Sequence, residues 1–199
     1  MISNEFLKKF CAPVTDPRAY LHAPWRDGGI VYATNGFFGV RLEGADVEAV
    51  EKTDKHPNFE ALFDKTKRTE YVDVPELPPI LNCQLCKGSA RVSVEECEDC
   101  DGDGSFTHGS HEYRCKECDG MGKFNRRGDT HACPECKGLG EAIGKQRERV
   151  GSDRAVVDVA YLRVIAQLPD VKIASGESAE SAVTFTFTGG RGLVMPMRW

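Results

Sequence analysis

CKECDGMG at residues 115–122 is followed by CPECKGLG at 133–140 and preceded by CEDCDGDG at 97–104 and CQLCKGSA at 83–90. These four Cys-x-x-Cys pairs decide how the middle of the chain folds. A Cys-x-x-Cys turn presents two sulfurs at the separation a tetrahedral ion needs, so two turns complete one site and four complete two. After the second cysteine the backbone folds round the sulfurs and leaves its amides free to hydrogen-bond them. Glycine adopts the dihedrals this requires. Intervals of ten, fourteen and fourteen residues between the pairs leave room for hairpins. The segment is poor in large aliphatics and cannot fold on burial alone. Metal binding would supply on the order of 10 kcal/mol per structural site. Two Zn2+ ions are expected.

A chain of 199 residues suits one medium domain and a smaller module. Hydrophobic residues make up 40% and charged residues 29%, which fits a modest core with a poorly cored insert. Of nine cysteines, only Cys11 lies outside the repeat. In a reducing compartment such pairs point to metal rather than disulfides. No apolar run approaches a membrane span. The opening MISNEFLKKF lacks the basic-then-apolar pattern of a leader, so a cytoplasmic location is expected. A net charge of −5 excludes a global basic footprint for nucleic acid. The acidic run Glu95–Asp103 reads as a solvated face.

The flanks predict an α+β domain interrupted by the insert: residues 1–80 and 146–199 around 81–145. Ser3 caps a first helix with Glu5 in its first turn. Ile2 staples onto Leu7, and Phe6, Leu7, Phe10 and Cys11 share one face until Pro13 stops it. Strands are expected at AYLHAPW (19–25), IVYAT (30–34) and FFGVRL (37–42), with a short helix over 59–65. VDVPELPP reads as extended, because its prolines forbid a regular helix. Asp158 caps a helix carrying Tyr161, Leu162, Ile165 and Leu168 to Pro169, and VKIA is a strand. AVTFTFT alternates as a half-buried strand. LVMPMRW is the last strand, its proline marking an edge or an end.

The repeat resembles the cysteine-rich zinc domain of DnaJ chaperones. That resemblance implies pairing of the first motif with the fourth, Cys83, Cys86, Cys133 and Cys136, and of the second with the third, Cys97, Cys100, Cys115 and Cys118. Ser89-Ala90 departs from the motif's glycine ending, so the first turn is expected to differ. His108, His111 and His131 are not needed as ligands, since eight thiolates complete two sites. KHPN at 55–58 is close to the family's His-Pro-Asp signature, but Asn58 replaces the acid and no flanking amphipathic helices exist. No J-domain is expected.

The flanks resemble the bacterial DNA polymerase III beta subunit, the sliding clamp. IVYATNGFFGVRL is similar to its Ala-Thr-Asp-Gly-His-Arg-Leu segment, and KHPNFEALFD to its Phe-Pro-Asn-Tyr-Glu-x-Leu segment. The ending Met195-Pro196-Met197-Arg198 is similar to the clamp's Met-Pro-Met-Arg. About one clamp domain is covered, and one domain alone does not encircle DNA. The resemblance implies that Met195, Pro196, Met197 and Arg198 meet a partner's short hydrophobic peptide. It also implies that Lys8, Lys9 and Arg163 on the helices face DNA in a homo-oligomeric ring.

The expectation is a non-enzymatic, zinc-binding, clamp-like protein of DNA replication, in a phage or mobile-element setting, working through protein partners or as a homo-oligomer. The alternative is a chaperone-like module that binds unfolded polypeptide through its zinc domain. A thiol oxidoreductase is disfavoured, because zinc-bound thiolates are poor redox groups, and the sequence shows no catalytic constellation.

Overall fold

The computed structural model describes residues 2–66, 70–151, 155–176, 178 and 180–197, with Arg127 by its backbone alone. The chain divides into two compact units, Met1–Leu81 with Ala142–Trp199, and Asn82–Glu141. In chain order come α1 (Asn4–Lys8), β1 (Trp25–Asp27), β2 (Ile30–Thr34), β3 (Phe38–Glu43), β4 (Val50–Glu51), α2 (Phe59–Lys65) and β5 (Val72–Asp73). The second unit follows with β6 (Arg91–Glu96), β7 (Ser105–His108), β8 (His111–Arg114), β9 (Lys123–Arg127) and β10 (His131–Ala132). The first unit then resumes with β11 (Arg147–Val150), β12 (Ala155–Asp158), α3 (Val159–Ile165), β13 (Lys172–Ala174), β14 (Val183–Phe187) and β15 (Gly190–Val194).

The larger unit is built on an eight-stranded sheet ordered β4-β1-β2-β3-β15-β14-β13-β5. Its halves join where β15 pairs antiparallel with β3, Leu193 opposite Gly39 and Val194 opposite Phe38. Alternation along β3 sends Phe38, Val40 and Leu42 to one face and Gly39 and Arg41 to the other. On the first face Phe38 packs on Phe10, just beyond α1, and on Tyr161 of α3, each with ring centroids 4.6 Å apart. On the second face α2 lays Phe59 and Phe63 on Trp25, Tyr32 and Leu193. Gly39 is the gap that admits Phe59, whose ring occupies the space a Cβ would need. Glu60 of α2 ties this layer down, accepting from the Tyr32 hydroxyl at 2.8 Å, Arg41 at 2.7 Å and Arg191 at 3.0 Å.

The first and third helices are capped as the sequence predicts, and the second is capped by Asn58, a role its sequence did not announce. The Ser3 hydroxyl accepts from the Phe6 amide, Asn58 from Ala61 and Asp158 from Ala160. Three readings need correction. Residues 19–25 are not a strand. Ala19–Leu21 form a single 3-10 turn, the Leu21 carbonyl accepts from the Ala12 amide, and the strand begins only at Trp25. The first and third helices end at Lys8 and Ile165, short of the prolines, because tighter i to i+3 bonds take over beyond them. The last strand begins at Gly190, three residues before the predicted start, and lies inside the sheet; of the two places its proline allows, it takes the strand end, since β15 stops before Pro196. Along β14 the threonine face is partly covered, with Thr184 only 3% exposed.

The smaller unit holds a three-stranded sheet, β10-β6-β9, and a separate β7-β8 ribbon. Its buried interior consists mainly of cysteines, with Val92 beside one group and the partly buried Phe124 beside the other. So little apolar area leaves metal coordination as the main source of cohesion.

Candidate metal centres and an apolar pocket

The four repeats fold into closely similar knuckles. The residue after the second cysteine takes a left-handed conformation at Lys87, Asp101, Asp119 and Lys137, and so do the glycines that follow it. The knuckles then pair reciprocally. The Cys97 amide donates to the Gly122 carbonyl and Cys115 to Gly104, while Cys83 donates to Gly140 and Cys133 to Ala90. Chain meets chain so closely that a side chain at Gly122 would collide with the Gly102 carbonyl, and one at Gly140 with that of Gly88. This close approach, as much as the left-handed dihedral, explains the repeat's final glycine.

The result is two buried four-sulfur clusters, Cys83, Cys86, Cys133 and Cys136, and Cys97, Cys100, Cys115 and Cys118. Within each, the four sulfurs lie within 4.8 Å of one another. Cross-knuckle sulfurs stand 3.8 and 3.7 Å apart in the first cluster and 3.9 and 3.7 Å in the second. No disulfide spans either, since a bonded pair would be near 2 Å. An ion holding four thiolates at about 2.3 Å in a tetrahedron spaces them by about 3.8 Å, so each group fits one metal ion. Amides complete the fit: Gly104, Gly122 and Gly140 donate to Cys100, Cys118 and Cys136, each at 3.2 Å. These bonds favour thiolates over thiols.

Burial, with neighbouring thiols, pushes Cys97 up to about 12. At Cys118 burial works the same way, but the Gly122 amide and the adjacent thiols outweigh it and bring the group down to about 7. A divalent ion is what allows all four to ionise together.

The first knuckle departs from the others. Ala90 stands where they carry glycine, at φ +65°. Its turn closes from the Lys87 amide to the Cys83 carbonyl at 2.8 Å, whereas the others close from Gly102, Gly120 and Gly138 one residue later. The histidines stand apart: His108 and His111 sit on the exposed ribbon and His131 on β10, and none belongs to either cluster.

In the larger unit, the KHPN segment builds the start of α2. His56 is buried against Trp25, centroids 4.7 Å apart, with its Nδ1 accepting from the Thr53 amide, and Asn58 is the cap. Beside it opens an apolar cavity of about 200 Å3, whose walls include Leu21, Thr34, Gly36, Phe37, Leu62 and Met195. Arg18 and Lys55 stand among its polar lining, and Arg18 is fixed by Asp16 at 2.8 Å and by the Asn35 carbonyl at 3.1 Å. Met195 is 44% exposed here, its amide donating to the Phe37 carbonyl. Pro196 is partly buried, and the Met197 amide is held by the Val156 carbonyl on β12. Arg198 lies outside the described residues. Sequence reading assigned no role to Arg18, Leu21, Lys55 or Leu62.

The candidate DNA-facing cations are differently engaged. Lys8 is exposed at the end of α1. Lys9 donates to the Gln167 side chain at 3.1 Å and lies over the Phe6 ring. Arg163 donates to the Pro78 carbonyl at 2.6 Å, pinning the extended proline segment. Among the described residues no helix is long and apolar enough to cross a membrane. The chain matches no family model, no curated protein and no solved structure.

Proposed function

We propose that the chain is a non-enzymatic, zinc-binding protein. Its sheet unit is a clamp-like platform that takes a short hydrophobic peptide from a replication protein in the pocket at Phe37 and Met195. The observation that carries the reading is convergence. Thr34, Gly36 and Phe37, then Pro57, Phe59 and Leu62, then Met195 line one cavity. They come from the three separate stretches that resemble a sliding clamp. An apolar pocket with a few polar groups at its rim suits a leucine- or phenylalanine-bearing peptide, and an exposed methionine adapts to such ligands.

In this reading the two four-cysteine clusters are structural. Four thiolates fill a tetrahedral ion's positions and leave none open for substrate, and zinc is the ion such sets favour. The insert then holds its own shape rather than carrying out chemistry.

Fluorescence polarisation with a labelled peptide rich in leucine and phenylalanine tests the pocket. Binding is expected, weakened about tenfold by Met195→Ala and by Leu62→Asp, both at exposed positions. Absence of binding, or binding indifferent to both changes, overturns it. DNA contact through Lys8, Lys9 and Arg163 belongs only to a homo-oligomeric ring. Light scattering decides that point, and a strict monomer at micromolar concentration removes the ring.

A further inference from the structure

The β7-β8 ribbon springs from the inner cluster, Ser105 following Gly104 and Arg114 preceding Cys115. Its register sets Phe106 opposite Tyr113 and His108 opposite His111. Opposed residues, and residues two apart, share a face of a strand pair, so these four rings line one side. The His111 and Tyr113 rings lie 6.4 Å apart, as that placement requires. The other side is polar, where the Ser105 hydroxyl donates to Glu112 at 2.6 Å. The ring face is uncovered: Phe106 is 43% exposed and Tyr113 54%, and both histidines are exposed. These two cross-strand pairs of rings stand on a solvent-facing ribbon and belong to neither buried cluster of the unit.

We propose that this ring face docks an arginine-rich segment of a protein partner. Two independent features select that occupant. The face of an aromatic ring carries negative potential and attracts a guanidinium, which also stacks flat upon it. The charge around the ribbon has the same preference. Residues 82–141 hold twelve acidic against eight basic side chains, while the rest of the chain is nearly balanced. The knuckle at the ribbon's base exposes Glu98, Asp99, Asp101 and Asp103, and among the described residues no ion pair occupies them. Bound metal leaves each cluster with a net charge of −2, since four thiolates outweigh one divalent ion. The same field repels phosphates, so bases of a nucleic acid, which would also stack on such rings, are disfavoured. A purely greasy segment would leave the acids unanswered.

The test uses the full metal-loaded chain and fluorescein-labelled peptides alternating arginine, lysine or leucine with serine. The arginine peptide should bind tightest. Phe106→Ser with Tyr113→Ser should weaken it about tenfold. Asp99→Asn with Asp103→Asn should weaken it and flatten its salt dependence. All four positions are exposed, and two metal ions per chain in each variant confirm that the module has folded. Equal binding of arginine and lysine peptides, unaffected by loss of the rings, would show plain electrostatic attraction and overturn the proposal. Tighter binding of the leucine peptide, or of a single-stranded oligonucleotide, would overturn it equally. Met195→Ala should leave this binding unchanged, so failure here is distinguishable from failure of the pocket reading.

Discussion

Ala90 occupies the one knuckle position where the repeat departs from glycine, and it sits at φ +65°. A Cβ in that region costs about 1 kcal/mol. Ala90→Gly should therefore strengthen the cluster at Cys83 by a part of that, about 0.5 kcal/mol once the larger unfolded-state entropy of glycine is subtracted, read as slower metal loss to a chelator. Gly122→Ala should do the reverse at the inner cluster, since its Cβ would meet the Gly102 carbonyl. Another single-residue test lies at Asp16, whose hydrogen bonds and ion pair with Arg18 hold its carboxyl down to about 2 from an ordinary 3.8. A depressed carboxylate stabilises the fold above its unfolded value and loses that contribution as pH falls through the folded one. Wild type should thus exceed Asp16→Asn in stability above about pH 4, with the gap closing toward pH 2, as urea melts at stepped pH would show. At this scale the sequence was most legible. Ligand spacing, glycine tails and the caps at Ser3 and Asp158 are local chemistry, settled within a few residues of one another, whereas the cap at Asn58 was hidden behind its place in the KHPN segment.

Elements were legible where their pattern was local and misread where tertiary contacts decided. Residues 59–65 and 30–34 form the helix and the strand expected of them. Residues 19–25 alternate like a strand, but the Ala12 amide needs the Leu21 carbonyl, and that contact folds Ala19–Leu21 into a turn. The interior place of β15 was equally hidden, because nothing in GGRGLV names its neighbours β3 and β14. The pocket is an element-scale object too, assembled from a turn, a strand end, α2 and the end of β15. No one segment announces it. Asn58→Ala removes the cap that orients α2 and should cost about 1 kcal/mol in a denaturant melt. Because α2 carries Phe59 and Leu62 into the pocket wall, peptide affinity should fall with it, while the metal content stays at two.

Across the whole molecule the two units are cohesive for different reasons. The sheet unit is held by buried aromatics and aliphatics, including Trp25, Phe38, Phe185 and Ile173, which need no metal. The cysteine unit has little besides its sulfurs. Chelation should therefore unfold residues 82–141 and leave the sheet intact, so that hydrogen exchange rises across the knuckles and stays slow in β2, β3, β14 and β15. Simultaneous loss of protection in both units would contradict that division. The cysteine unit rests on a nested pairing, first knuckle with fourth and second with third, with each four-sulfur group suited to one ion. Native mass spectrometry of the intact chain tests it most directly, compared with the double variant Cys97→Ser, Cys115→Ser. Two zinc ions are expected in the parent and one in the variant, with no disulfides in either. A parent carrying fewer than two ions, or a variant that still carries both, would contradict it.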